Sequence, residues 1–281
     1  MKPPASTGPV VVGIDGSRAA IDAALWAADE ASTRGVALRL VHVIDVEDEV
    51  YRDLDEDPAE VARDWPETES GRASLFAAAT AVRDSGKPVT LETEILWGDT
   101  DSTLIEESRH ATMVCVGSTG ISSIVRSIVG SAAAALAEQA HSPVAVIRSP
   151  RSPPTSEPVW IVAVVDDTPS SDSIIDYALA EGRLRSAPVL AVGVSRRDHE
   201  GIRFDDLEQR VAASGQDRLH LHIYPHVVSD DDVAGFLARH DELSVQLAVV
   251  GAADAEDAAA IVGPHRQTRR PHSRCSVLVV R

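Results

Sequence analysis

The stretch "VGSTGISSIVRSIVGS", residues 116 to 131, decides the fold, because it sets glycines and hydroxyls between a strand and a helix. An apolar run, 113–116, precedes it, and an alanine-rich run, 132–140, follows it. The stretch contains the glycines Gly117, Gly120 and Gly130, in the spacing G-x2-G-x9-G. A glycine at a strand end allows a positive φ and lets the backbone approach a ligand closely.

Outward from this stretch, apolar runs alternate with amphipathic segments through the first half of the chain. The runs predicted as strands are 10–14, 37–44, 89–96, 113–116 and 144–147. The segments predicted as helices are 17–33, 70–85, 100–109 and 130–140, the first with Ile21, Ala24, Leu25 and Ala28 on its apolar face. This alternation indicates an α/β fold, with a parallel sheet covered by helices on both faces.

The same landmarks recur in the second half of the chain. The segment 10–31 aligns with 161–182, so that Asp15 falls on Asp166 and Glu30 on Glu181. Further on, 113–117 aligns with 247–251, and 141–148 with 274–281. A proline-rich linker, "SPRSPPTSEP", joins the halves. We therefore predict two tandem domains, 1–150 and 158–281, each an open five-stranded parallel sheet.

Composition limits the classes of partner. The net charge of −18 disfavours nucleic acid and anionic membranes, which need basic surface. The start of the chain lacks the apolar core of a signal peptide, so we expect a cytoplasmic protein. The two cysteines, Cys115 and Cys275, lie in apolar runs and should be buried without a disulfide. The histidines of "HLHIYPH", 220–226, could chelate zinc on a strand face, but a polar sheet edge is favoured, so no metal site is predicted.

The glycine-rich stretch has the chemistry of a phosphate cradle. In open parallel sheets ligands bind beyond the carboxyl ends of the strands, where Gly117 stands. Gly130 and Ser131 begin the next helix, whose free amides and dipole attract phosphate. Arg126 is the one cation within the stretch and could reach a terminal phosphate. The hydroxyls available for further hydrogen bonds are those of Ser118, Thr119, Ser122, Ser123 and Ser131.

Two polar residues stand near the same edge of the sheet. Asp15 closes the first strand, where its carboxylate could accept hydrogen bonds from a ribose or an adenine amine. It could equally be a turn residue or a helix N-cap. His42 lies in the second strand and is predicted to be a hydrogen-bonded histidine close to this edge.

The pattern Gly117-x2-Gly120-x9-Gly130-Ser131 resembles the nucleotide-binding signature of the universal stress proteins. The segments "VVVGIDGS", "LVHVID" and "SPVAVIR" resemble the first, second and closing strands of that family. The resemblance covers nearly all of 8–148 and continues more weakly through 158–281. It implies a tandem universal stress protein, with strands in the order 3-2-1-4-5 and ATP between the first and fourth strands.

The resemblance also implies a role for individual positions. Gly13, Ile14 and Asp15 would line the base and ribose, and Val43 would touch the adenine. Ala132 stands where the family often has a second hydroxyl, which removes a phosphate hydrogen bond worth about 0.5–1.5 kcal/mol. The cradle around the triphosphate would consist of Gly117, Ser118, Thr119, Gly120, Ile121, Ser122, Ser123, Gly130, Ser131 and Ala132. The implied ligand is ATP, with or without Mg²⁺, and the implied assembly is a homo-oligomer, a dimer.

The second copy departs from this pattern. Asp166 is kept, but the loop after Gly251 reads "GAADAEDAAAIVGPHR". Its carboxylates Asp254, Glu256 and Asp257 would repel phosphates, and Pro264 after Gly263 has no amide to donate. We therefore expect the second domain to keep the fold without binding nucleotide.

Together these observations predict a binding protein, an ATP-dependent regulator of stress or growth with no catalytic residue, because no general base or metal-binding carboxylate pair is evident near the loop. Two alternatives stay open from the sequence: a slow ATP hydrolase, and an interaction protein that has lost nucleotide binding in both domains.

Overall fold

The structure is a computed structural model of the 281-residue chain. It describes residues 7–45, 65–118, 131–148, 159–195, 202–213, 221–223, 228–229, 244–252 and 275–281. The chain divides into two compact units between residues 149 and 150. Within the described ranges, no helix combines the length and the apolar character needed to cross a bilayer.

The first unit is a parallel sheet with alternating helices. Its elements are β1 (Val10–Gly13), α1 (Arg18–Arg34), β2 (Leu38–Ile44), α2 (Pro66–Asp84), β3 (Leu91–Trp97), α3 (Thr100–Glu107), β4 (Met113–Gly117), α4 (Ser131–Gln139) and β5 (Val144–Ile147). The strands pair in the order β3-β2-β1-β4-β5, and each pair is parallel. The order 3-2-1-4-5 is therefore confirmed for this unit.

The second unit repeats this connectivity. Its elements are β6 (Trp160–Val165), α5 (Ser171–Arg185), β7 (Val189–Ser195), α6 (Phe204–Ala213), β8 (Leu221–Ile223), β9 (Val228–Ser229), β10 (Val245–Gly251) and β11 (Ser276–Val280). Within this unit the strand order is β11-β10-β6-β7-β8, again with parallel pairs, and β9 pairs with β7. Strands β6, β7 and β8 are the first three strands of this unit, and β10 and β11 are its last two. With β9 set aside, the strand order is therefore the same as in the first unit.

Helix α1 shows how the sequence sets its limits. The backbone N–H of Ala20 donates to the hydroxyl of Ser17, which caps the first turn, and Gly35 ends the helix with a φ of 68°. Of the predicted apolar face, Ala24 and Ala28 are buried, and the larger Ile21 and Leu25 are half-buried. The fully buried apolar side chains of this helix are all small: Ala19, Ala20, Ala23, Ala24, Ala27, Ala28 and Ala31. Small side chains let this helix lie close against the sheet.

Helix α2 differs from its predicted bounds at both ends, and helix α3 at one end. Helix α2 begins at Pro66 rather than at residue 70, because proline suits the first turn of a helix and acidic residues there favour its dipole. Helix α3 ends at Glu107, two residues before the predicted end. These shifts leave the connectivity unchanged.

A buried ion pair occurs at the same place in both units. Glu30 of α1 and Glu181 of α5 have relative exposures of 0% and 1%, and each pairs with an arginine one helical turn later, Arg34 and Arg185. The left-handed residue after each helix also corresponds, since Gly35 is matched by Ser186 with a φ of 51°. The sequence repeat therefore corresponds to a repeat of the same ion pair and the same helix ending in the structure.

Candidate functional site

The carboxyl ends of β1 and β4 form the candidate site of the first unit. The two strands are parallel neighbours, with Val12 opposite Cys115 near their ends. Strands β2 and β3 lie on one side of β1, and strands β4 and β5 lie on its other side. The strand order therefore reverses between β1 and β4. Open α/β sheets bind their ligands in the crevice at such a switch point.

Asp15 forms the turn that leaves β1. The backbone N–H of Ser17 donates to Asp15 Oδ1 over 2.9 Å, and Gly16 between them has a φ of 83°. The turn role considered from the sequence is therefore confirmed, and the helix N-cap is Ser17. The carboxyl group remains half-exposed at the rim of the sheet. Its proposed contact with a ligand is additional to this turn.

Gly117 ends β4 for a reason that the sequence analysis did not identify. Its φ is not in the left-handed region. A Cβ at this position would lie 2.7 Å from the carbonyl carbon of Ala19 and 2.8 Å from the nitrogen of Ala20. The glycine is therefore required by the close approach of the first turn of α1. Gly117 does not adopt the positive φ that glycine allows, and the close approach of a ligand to this backbone stays a prediction.

The neighbouring site residues are also tightly held. A Cβ on Gly13 would lie 3.3 Å from Val116 Cγ1 and 3.4 Å from Leu104 Cδ1. Ile14 is 3% exposed, and its backbone N–H donates to the carbonyl oxygen of Val41 over 2.8 Å. Val43, one position before the end of β2, is half-buried.

Ser118 follows β4 and is tied to β5. Its backbone N–H donates to the carbonyl oxygen of Ile147 over 2.8 Å, and the residue is 3% exposed. The backbone N–H of Ser118 is therefore used in the hydrogen bonding of the sheet. A phosphate contact by Ser118 would have to use its hydroxyl.

Only part of the predicted cradle lies in the described residues. Ser131 begins α4, and Ala132, in its first turn, is half-buried. The remaining cradle residues lie outside the described residues: Thr119, Gly120, Ile121, Ser122, Ser123, Arg126 and Gly130. The structure thus brings together the β1 and β4 strand ends that carry Gly13, Ile14, Asp15, Gly117 and Ser118.

His42 is hydrogen-bonded beside the site, as predicted. Its Nδ1 lies 2.6 Å from the carbonyl oxygen of Ile14, the residue that precedes the Asp15 turn. Its ring also packs on Gly71 of α2, where a Cβ would lie 2.5 Å from His42 Cδ2. Sequence reasoning missed Gly71; the available signal was a glycine inside a helical pattern, which lowers helix propensity.

In the second unit, the side chains of the equivalent turn hydrogen-bond to one another. Asp166 is 5% exposed, and its Oδ1 accepts from the Thr168 backbone N–H over 2.9 Å and from the Ser171 hydroxyl over 2.6 Å. Arg210 of α6 donates to the carbonyl oxygens of Thr168 over 2.8 Å and Asp167 over 3.0 Å. The Asp166 side chain is therefore buried, whereas Asp15 at the equivalent position is half-buried.

The described residues contain no cluster of side chains that could bind a metal ion. Among the residues that the structure describes, no group of three or more His, Cys, Asp or Glu side chains is arranged to hold an ion. His222 is exposed and packs its ring edge-on against Trp160, with centroids 5.0 Å apart, while His220, Tyr224 and His226 lie outside the described residues. Cys115 and Cys275 are buried and are not joined by a disulfide, as expected.

Comparison with known proteins agrees with this fold. Residues 7–148 match the model of the universal stress protein family. A universal stress protein of Mycobacterium tuberculosis is 44% identical over 276 residues, covering 97% of this chain and 96% of the relative. Another from the same organism is 39% identical over 291 residues, covering 100% of this chain and 98% of the relative. The chain belongs to the universal stress protein family.

Solved structures support the fold across both units. A universal stress protein from Archaeoglobus fulgidus superposes with a TM-score of 0.69, at 16% identity, over 99% of this chain and 97% of that one. A protein from Pseudomonas aeruginosa superposes with a TM-score of 0.58 over 98% and 93% of the two chains. At this sequence identity, the similarity shows the fold alone.

Proposed function

We propose that this protein is an ATP-binding universal stress protein that regulates stress or growth through nucleotide occupancy, with one site, in the domain 1–150. The observation that carries the proposal is the junction of the Asp15 turn and the Gly117 strand end at the switch point of the sheet. A half-exposed carboxylate stands on one side of this junction, and the phosphate-binding pattern follows on the other.

Each part of the junction has a proposed ligand group. Asp15 would accept hydrogen bonds from the ribose or the adenine amine, and Val43 would contact the base. The hydroxyl of Ser118 and the first turn of α4 at Ser131 would meet the phosphates, because amides and the dipole at a helix start favour anions. Residues 119–123, Arg126 and Gly130 would complete the cradle.

The second domain, 158–281, would carry no nucleotide. The Asp166 carboxylate already accepts hydrogen bonds from Thr168 and Ser171, and Arg210 donates to the carbonyl oxygen of Thr168 in the same turn. A ligand hydroxyl would have to displace these buried contacts, which costs the desolvation of each group left unpaired. The acidic loop that follows β10 in the sequence, with Asp254, Glu256 and Asp257, would add electrostatic repulsion.

The remaining properties follow from a binding role. We expect little ATP turnover and no need for a catalytic residue, with Mg²⁺ entering only alongside the triphosphate. Buried cysteines that form no disulfide suit a reducing compartment, which supports a cytoplasmic location. We propose a homodimer on the basis of the family resemblance.

Equilibrium dialysis with ATP tests the site and its stoichiometry. We expect one ATP per chain, with binding weakened at least about tenfold by Asp15→Asn, since that change removes the charge from the acceptor. Asp166→Asn is the matched control at the equivalent turn and should leave ATP affinity unchanged. Two ATP per chain, or equal affinity in Asp15→Asn, would contradict the proposal.

A second measurement separates the alternatives. Mass spectrometry of the ligand retained after gentle purification should detect ATP. Steady phosphate release that Asp15→Asn abolishes would favour a slow hydrolase instead. Absence of both retained ligand and ATP binding would favour an interaction protein.

A further inference from the structure

The side chain of His42 continues the hydrogen bonding of the sheet at the point where β1 leaves it. The last backbone bond on this side runs from the N–H of Ile14 to the carbonyl oxygen of Val41 over 2.8 Å. One residue further along β2, His42 Nδ1 lies 2.6 Å from the carbonyl oxygen of the same Ile14. A carbonyl oxygen can only accept, so Nδ1 carries the proton and donates.

The opposite side of the imidazole ring is held by a glycine. A Cβ on Gly71 would lie 2.5 Å from His42 Cδ2, 3.0 Å from Nε2 and 3.2 Å from Cγ. Gly71 lies inside α2 and is buried, where glycine costs about 1 kcal/mol in helix propensity relative to alanine. Because any side chain there would push the ring away, helix and ring fit together only with glycine at this position.

The bonded carbonyl belongs to the residue just before Asp15. The peptide group between Ile14 and Asp15 is therefore fixed on one side by His42, and the Asp15 turn is fixed on the other by the N–H of Ser17 at 2.9 Å. Rotation of that peptide would redirect the Asp15 carboxylate at the rim. A hydrogen bond to its oxygen restricts that rotation.

We propose that His42 is a positioning residue for the nucleotide, orienting the Asp15 turn through its Nδ1–H bond to Ile14, and that Gly71 is present to admit its ring. The inference rests on the proposed nucleotide site of the first domain. It adds a residue on β2 and one on α2 that do not themselves touch the ligand. Their contribution to affinity is the preorganisation of the carboxylate.

The variants His42→Asn and His42→Leu provide a matched test. Both side chains branch at Cγ, but only asparagine has an N–H donor at the same distance from Cα as Nδ1. Calorimetric titration with ATP should give His42→Asn an affinity within about threefold of wild type and His42→Leu a loss of about tenfold. Thermal melts of the unliganded proteins should not follow this order, because leucine suits a half-buried position.

If affinity instead falls in step with thermal stability, or if the two variants bind ATP equally, the positioning role is wrong. Failure of wild type itself to bind ATP would overturn the proposed function, and with it this inference. Wild-type binding with an unaffected His42→Leu would overturn the inference alone. The two failures are therefore distinguishable.

Gly71→Ala gives an independent test through a double-mutant cycle. In the wild-type background it should weaken ATP binding about tenfold, because the new Cβ displaces the ring. In a His42→Ala background the same change should have no further effect on affinity. Additive losses in the two backgrounds would show that Gly71 does not act through His42.

Discussion

Replacing Gly117 by alanine tests whether the close approach of α1 and β4 shapes the nucleotide site. The added Cβ would lie 2.7 Å from the Ala19 carbonyl carbon, 2.8 Å from Ala19 Cβ and 2.8 Å from the Ala20 nitrogen. None of these atoms can rotate away, so the first turn of α1 must move. Restoring an ordinary contact of 3.4 Å from 2.8 Å requires a displacement of about 0.6 Å.

The displacement has a cost in stability and a cost in binding. Overpacking of this kind costs about 1–3 kcal/mol, and the lower entropy of the unfolded alanine chain offsets about 0.4–1 kcal/mol of it. We therefore expect a loss of about 1–2 kcal/mol in the free energy of unfolding of the first unit. Because Ser17 caps the helix that moves and bonds to Asp15, ATP affinity should also fall by about tenfold.

Hydrogen-exchange mass spectrometry is the assay for stability, because its peptides report on each unit separately, and calorimetry measures ATP affinity. Gly35→Ala is the control: its φ of 68° strains any side chain, yet no atom lies within 4 Å of the new Cβ. The control should lose about 1 kcal/mol of stability and keep its ATP affinity. If Gly117→Ala behaved like the control, the steric argument would be refuted.

Three further changes test other parts of the structure. Ser186→Gly should stabilise the second unit by about 1 kcal/mol, as measured by hydrogen exchange, because Ser186 is exposed and holds a φ of 51°, and Gly35→Ser should do the reverse in the first. Glu30→Ala should cost about 2 kcal/mol in urea unfolding, since it strips a largely buried Arg34 of its carboxylate, and an unchanged midpoint would count against the pair. Asp99→Ala should lose the N-cap of α3, about 1 kcal/mol at neutral pH. Hydrogen bonds from the side chain and then the backbone of Ser102 hold the pKa of Asp99 below its usual value, so this stabilisation is present above the usual pKa and is lost as pH falls through the lowered one. The gap between wild type and Asp99→Ala should therefore close in acid, and a gap that stayed constant would contradict the assignment.

Much of the fold could be predicted because the signals lie in local periodicity. Apolar runs marked β1 and β4, and the alignment of Glu30 with Glu181 predicted the internal repeat, to which the structure adds an ion pair present in both units. Helix limits were less certain where two signals competed. Pro66 breaks the interior of a helix but begins one well, and only the observed turn distinguishes the two cases.

The candidate site could be predicted in position but not in its contacts. The spacing of Gly117 and Asp15 in the sequence indicated two strand ends that meet at one edge of the sheet. The steric reason for Gly117 was missed, since the glycine makes room for Ala19 and Ala20, which are almost a hundred residues away along the chain. No local pattern contains such a distance.

The sequence by itself determined the alternation of strands and helices and the internal repeat, and it carries the proposal of a phosphate-binding stretch, because each depends on residue order and side-chain type. Tertiary structure decided which glycines make room for a neighbour, that the Ser118 N–H donates to β5, and that the buried Asp166 carboxylate accepts hydrogen bonds from Thr168 and Ser171. These outcomes depend on differences of a few tenths of an ångström in the distances between segments far apart in the chain. Such distances exist only after the sheet has formed and the helices have packed on it.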